Sequence, residues 1–371
     1  LNKINEGIII QMRNNFCILL NYLLREKNKR NLLKMKKCII LITAILVLLL
    51  AGCAKRNTPW QNEDMLTLKR HIEVVGNPLD ISFDTENIYV ALDQGGISII
   101  NSANYSQKWY TILSSSDESV VPLFKIRKIG VVGEYNRLFL NETDATDRIL
   151  IVDNSNLDSL RIIDSITGAT QDIQDMKVQK IINPVDDNVI EIIYSAGRNV
   201  HYGKYNGTLW LGSTFSIYPP ASASGVDLDD RYVYIAAQQR GLLIYDRNSL
   251  EMISEIAVPG EAQKVKVVGN YAYLACRQGG FSIVNIADRT EPLLVSNFDT
   301  TGYATSIDVK DNKAVVSSGG GGIYLFDVSS PSHPLLKQNI TSAGYTNNAK
   351  FYNNQLIVAA RDKGILIYEM D

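Results

Sequence analysis

The sequence predicts an all-β chain folded as a seven-bladed β-propeller, with four strands in each blade. Three observations predict it. A unit of about 42 residues recurs through residues 65–371. The most apolar strand of that unit returns at a near-constant spacing. The last unit is one strand short, and an orphan strand precedes the first.

The unit is clearest in two adjacent copies. One runs from Ala262 to Asn285 and continues at Pro292-Leu-Leu-Val-Ser-Asn-Phe298. The next runs from Ala304 to Asp327 and continues at Pro334-Leu-Leu-Lys-Gln-Asn-Ile340. Each copy reads as an alternating strand, a Gly-Asn or Asp-Asn turn and a second strand. A Gly-containing loop then leads to a very apolar third strand, and a fourth strand begins near Pro. The third strands end at Asn101, Asp153, Lys204, Asp246, Asn285, Asp327 and Glu369, at intervals of 52, 51, 42, 39, 42 and 42. The two long intervals carry insertions, among them Ser114–Glu118 and Thr143–Asp147. Blade three (roughly 171–217) fits least well, because His201-Tyr-Gly-Lys204 stands where an apolar strand belongs. A misreading there would leave six or eight blades.

Four short strands every 40–50 residues is the signature of a propeller blade. A β-helix wants shorter repeats, and helical repeats want a 3.6-residue period that is absent. The seventh unit stops after Ile365-Leu-Ile-Tyr368, while Leu66–Val74 forms an orphan strand ahead of the first unit. That orphan strand is expected to complete the last blade, which removes two exposed sheet edges at once.

The apolar third strands, Ile149-Leu-Ile-Val-Asp153 above all, resemble those of the LVIVD-repeat propellers. The resemblance covers about 300 residues. It implies an extracytoplasmic and often lipid-anchored protein, and it offers no catalytic residues.

The expected domain division is 1–34 as a spurious or extended segment, 35–52 as a signal peptide, 53–64 as a tether and 65–371 as the propeller. Met35-Lys-Lys37 precedes an apolar run from Cys38 to Leu50 and the small residues Ala51-Gly52. Leu50-Ala-Gly-Cys53 resembles the lipobox of bacterial lipoproteins. That resemblance implies cleavage before Cys53, with lipid on its thiol and stable anchoring by two or more chains. The alternative is an uncleaved membrane helix, for which the run is only marginally long. Ala54 rather than Asp follows the cysteine, so the inner-membrane retention signal of enterobacterial lipoproteins is absent; in a two-membrane cell this favours the outer membrane or cell surface over the inner membrane. With the tether only about a dozen residues long, the disc is expected to sit close to the membrane.

Residues 1–52 hold nine Lys/Arg and two Asp/Glu of the chain's 37 and 39. The remaining 28 basic and 37 acidic residues give the exported part a net charge of −9. An acidic surface argues against nucleic-acid binding. Of the four cysteines, processing leaves Cys53 and Cys276. No internal disulfide is therefore expected, and Cys276 reads as a small buried apolar residue.

In a propeller, the loops joining second and third strands share a face with the blade-to-blade connections. Here those segments offer Asp93, Arg198, Arg240, Arg277, Arg361 and Lys363, with Tyr303 and Tyr345 from the connections. Arg and Tyr are frequent interface anchors; the plainer reading is solvated loop tips.

No catalytic residue, metal ligand or cofactor is expected. His71, His201 and His333 fall on separate elements and should not converge. Asp227-Leu-Asp-Asp230 lacks calcium-loop spacing and reads as a turn. Asp153, Asp246 and Asp327 suit Asx-turns. Gly319–Gly322 precedes a strand rather than a helix, so it reads as a tight turn and not a phosphate loop.

The expected function is a monomeric, lipid-anchored interaction module for a protein or glycan partner at the cell envelope. The alternative is an extracytoplasmic propeller enzyme, such as a polysaccharide lyase or hydrolase. That chemistry requires carboxylates, or a base with an arginine, converging in one deep pocket.

Overall fold

A computed structural model describes residues 65–143, 147–168, 172–181, 189–207 and 210–370. The segments expected as signal peptide (35–52) and tether (53–64), with Cys53, lie outside the described residues.

Strand β1 spans Leu66–Ile72. Blade one is β2–β5 (Asp80–Phe83, Asn87–Ala91, Ile97–Asn101, Gln107–Tyr110). Blade two starts from a hairpin, β6 and β7 (Ile112–Ser115, Val120–Pro122), followed by β8–β11 (Lys125–Val132, Arg137–Thr143, Arg148–Asp153, Arg161–Thr167). Blade three is β12–β15 (Ile173–Ile181, Val189–Ala196, Asn199–Tyr205, Trp210–Ile217), and blade four is β16–β19 (Gly225–Leu228, Tyr232–Ala236, Leu242–Asp246, Met252–Ile256). Blade five is β20–β23 (Lys264–Val268, Tyr271–Ala275, Phe281–Asn285, Leu293–Phe298). Blade six is β24–β27 (Ser306–Lys310, Lys313–Ser317, Ile323–Asp327, Leu335–Ile340). β28–β30 (Thr346–Tyr352, Gln355–Ala360, Gly364–Met370) pair with β1 as blade seven.

Seven blades therefore surround one axis, and the ring closes as the sequence predicts. β1 runs antiparallel to β30, from Leu66↔Met370 to Ile72↔Ile365. The first-to-second hairpins turn on residues that tolerate left-handed backbone, such as Gly269 and Asn353. These turns and the third-to-fourth loops form one face, called here the turn face. The second-to-third loops and blade connections form the other, the mouth face. Because β1 is an outer strand, its first residue lies at the turn face.

The core is a set of seams between blades. Tyr234 and Ile244 of blade four, for example, pack with Val265 and Leu274 of blade five. Alternate residues of the middle strands face one neighbour or the other, so β3, β17 and β21 are buried on both sides.

Two details go beyond the expected pattern. The Ser114–Glu118 insertion belongs to a β-hairpin, in which β6 pairs parallel with outer strand β11 and widens blade two to six strands. Blade three has its four strands, as expected, despite its polar third strand, with register shifts around Gly203. Aromatic stacking buries β14: Tyr202 stacks on Phe215 at 4.5 Å, and Tyr194 lies 5.3 Å from His201. Gly203 makes room for Trp210, whose ring would lie 1.9 Å from an added Cβ.

The strand-ending carboxylates and amides close Asx-turns. Asp153 accepts from the Ser155 amide (2.9 Å), Asp246 from Asn248 (2.9 Å) and Asp327 from Ser329 (2.9 Å). The glycine run ends as a tight turn: Gly322 has φ +77°, and an added Cβ would lie 2.2 Å from the Ile340 carbonyl.

Candidate functional site

The mouth face is held together by backbone. Asp93, Gln238, Arg277 and Gly319 occupy equivalent loop positions, all with left-handed φ (54°, 48°, 42° and 50°). Each bridges to the start of the next blade, at Ile126, Ala262, Ala304 and Thr346. Asp93 donates to the Ile126 carbonyl at 3.0 Å and accepts from its amide at 2.9 Å. The main chains of Asp93 and Arg277 thus stitch blades together, a role their side chains did not suggest.

Among the predicted side chains, the structure brings together two Arg–Tyr pairs. The Arg361 guanidinium stacks 3.9 Å from the Tyr345 ring centroid, and its amide donates to the Tyr345 carbonyl at 2.8 Å. Lys363 anchors beside them by donating to the Ser342 carbonyl (2.5 Å). Arg277 lies 5.4 Å from the Tyr303 ring and pairs with Glu261 at 2.7 Å. Tyr303 is 53% exposed, so this pair is accessible from solvent. Arg240 is drawn instead to Glu255 on outer strand β19, and Arg198 reaches the Pro220 carbonyl at 3.4 Å. The four arginines therefore form two aromatic-backed stations and two rim contacts, not one continuous ring.

A second polar system was not read from the sequence: a hub of charges on the innermost strands. Asp80 accepts from the Ile129 amide of blade two (3.2 Å), and Asp175 from Val226 of blade four (3.0 Å). Asp227 accepts from Val267 of blade five (2.7 Å), and Asp308 from Phe351 of blade seven (2.9 Å). Inner strands have no ladder partner on the axial side, so their amides need acceptors. These carboxylates supply them from the preceding blade.

Lysines balance the carboxylates. Lys350 pairs with Asp80 (3.2 Å) and Lys177 with Asp227 (2.5 Å). Lys264 of blade five reaches Asp175 of blade three, a contact that skips blade four and places both groups at the axis. Burial pushes the Asp80 carboxyl up, but Lys350, Lys128, Lys264 and the Ile129 amide together hold it below its ordinary 3.8. Burial pushes Lys128 down, against the pull of Asp80 and Asp175. For Lys264, burial is outweighed by Asp175 and Asp80, and its pKa is raised. The signal was present in the sequence as charges at alternate positions of first strands, for example Asp175-Met-Lys177 and Lys264-Val-Lys266. The Asp227–Asp230 run, expected as a turn, divides. Asp227 is a buried hub residue, and only Asp229 caps the turn, accepting from the Arg231 and Tyr232 amides (2.9 and 2.7 Å).

Cys276 is fully buried, and burial pushes its thiol up to about 12, which keeps it protonated. His71, His201 and His333 lie in blades seven, three and six and do not converge. His201 is buried against the Ser216 hydroxyl (2.8 Å), and burial lowers its pKa.

Comparison with known proteins agrees with this architecture. Residues 220–246, 259–300 and 301–342 match the LVIVD repeat, which covers most of blade four and all of blades five and six. No curated protein matches the chain. Among solved structures, the crystal structure of the computationally designed Ika8 protein is similar, with a TM-score of 0.57 and 10% identity. The match covers 81% of this chain and 98% of that one, and at this identity the likeness is one of fold. Three matched repeats and seven blades closed by the N-terminal strand make this chain a β-propeller that carries LVIVD repeats.

Proposed function

We propose that the protein is a lipid-anchored, extracytoplasmic interaction module whose mouth face docks a protein or glycan partner. The observation that carries this reading is the pair of stations on that face, Arg277 with Tyr303 and Arg361 with Tyr345. A guanidinium stacked on a ring is a pre-ordered, partly apolar platform with unused N–H donors. Such residues lose little entropy on docking and anchor interfaces well. The described chain begins at the turn face, the face opposite these stations. The lipobox at Leu50–Cys53 supports the anchor and the envelope location.

Replacing Arg240, Arg277 and Arg361 together by Ala removes only exposed ion pairs and ring contacts, which contribute little to stability. The variant should keep its thermal midpoint within a few degrees yet lose the partners crosslinked to the native protein in its own envelope. Unchanged capture would sink the mouth-face assignment. Cys53→Ala should abolish metabolic labelling with palmitate and release the protein from the membrane fraction; persistent labelling would overturn the anchor.

A further inference from the structure

The repeat supplies its own comparison on the turn face. In blades one and four, the first hairpin and second strand are built alike. Asp84 accepts from the Glu86 and Asn87 amides (2.8 and 2.7 Å), as Asp229 does from those of Arg231 and Tyr232. The Tyr89 hydroxyl donates to Asp84 Oδ2 at 2.6 Å, and the Tyr234 hydroxyl to Asp229 Oδ2 at 2.6 Å.

The clefts they open on are filled differently. Beside blade four, Arg289 of blade five places its Nε 3.2 Å from the Tyr234 hydroxyl and its Nη2 3.8 Å from Asp229. Beside blade three, Arg247 of blade four closes on the Tyr202 hydroxyl (2.6 Å) and on Glu191. A tyrosine hydroxyl, a carboxylate and a guanidinium from the next blade thus recur. Beside blade one, the residue that follows the strand-ending Asp153 is Asn154, where blade four has Arg247 after Asp246. The shorter side chain reaches the Tyr89 hydroxyl at 2.9 Å and goes no further.

What remains is a cleft of about 290 Å³ between blades one and two, near the small end of ligand-binding pockets. Asp84, Glu86, Tyr89, Asn154 and Ser155 line it. Neither Asp84 nor Glu86 has an ion pair among the described residues. Asn154 is 5% exposed, and its Oδ1 accepts no hydrogen bond. Turning its amide over does not help: the Tyr89 proton is committed to Asp84, so the Tyr89 oxygen requires the Asn154 NH₂ as donor. Burial, and then the bond to Asp84, push the Tyr89 pKa up and keep that proton in place. A buried acceptor without a donor is destabilising. The cleft therefore lacks a cationic N–H donor of the kind its sister clefts contain.

We propose that the cleft between blades one and two is a binding seat for a guanidinium group, an arginine side chain presented by a partner polypeptide. Asp84 supplies the charge, and Asn154 Oδ1 supplies the unused acceptor. The seat lies on the face opposite the mouth, so its test is independent of the function proposed above.

The experiment follows the thermal midpoint of the full chain in detergent against increasing Nα-acetyl-arginine amide. The lysine and citrulline counterparts run in parallel. The native protein should show a saturable rise with the arginine probe, as expected for a ligand that binds the folded state, and little with neutral citrulline. Asn154→Arg supplies the missing guanidinium from within; it should raise the midpoint without ligand and abolish the response. Asp84→Asn keeps the acceptor that the Glu86 and Asn87 amides use, so it should fold and lose most of the response. It decides the matter alone if Asn154→Arg does not fold. The proposal is overturned by no saturable response in the native protein, by an equal response in a folded variant, or by a citrulline or lysine response equal to that of arginine.

Discussion

Asp80 shows how one side chain can hold three blades. Its Oδ2 accepts from blade two, while its Oδ1 accepts from Asn348 (2.6 Å) and Lys350 (3.2 Å) of blade seven. Asp80→Ala leaves a backbone amide and an ammonium without their partner, and should destabilise the fold by roughly 2–3 kcal/mol. The pH dependence follows from the direction of its shift. The folded-state pKa lies below the ordinary 3.8, so its contribution is complete above that value and is lost as pH falls through the folded pKa. The native protein should therefore lose stability below about pH 4 more steeply than Asp80→Asn in denaturant titrations; equal slopes would exclude the hub as the origin. The turn-closing role of Asp153, Asp246 and Asp327 was legible because it depends only on local backbone. The role of Asp80 was not, because its partners lie 49 and 270 residues away.

Among the elements, β1 carries the closure. Leu66 is buried, and its amide donates to Gln338 Oε1 of blade six at 2.8 Å, which fixes the start of the strand to a second blade. Deleting residues 66–72 would strip β30 of its outer partner and expose a flat apolar edge. Such a chain should self-associate in light scattering and melt at least several degrees lower; a monomer with an unchanged midpoint would contradict the closure role. The strand was legible from its pairing logic, as the only orphan beside a blade short by one. The β6–β7 hairpin was not, since Ile112–Ser115 and Val120–Pro122 are too short to alternate visibly. Blade three matched the repeat least well because aromatic stacking, not aliphatic content, buries β14.

For the molecule as a whole, the fold could be read because it is written seven times, and errors in one blade are outvoted by the rest. The mouth-face residues could be placed on their face for the same reason. Which of them meet could not, because Arg240 and Arg277 sit in equivalent loops yet turn to Glu255 and Glu261 respectively. That choice depends on where a neighbouring strand or blade connection happens to carry an acid, as Glu255 on β19 and Glu261 between β19 and β20.

The seam between β1 and β30 also decides how the ring responds to force. Tension on the chain before Met65 is delivered to one corner of blade seven, where the Gln338 side chain clamps Leu66 through both its amide and its carbonyl (2.8 and 3.4 Å). A pull along the strand loads all six β1–β30 residue pairs in shear at once, rather than opening them in succession. The clamp passes part of that load to blade six. The strands β1 and β30 therefore act as a mechanical fastening, and any hold on the start of β1 is a hold on the closed ring.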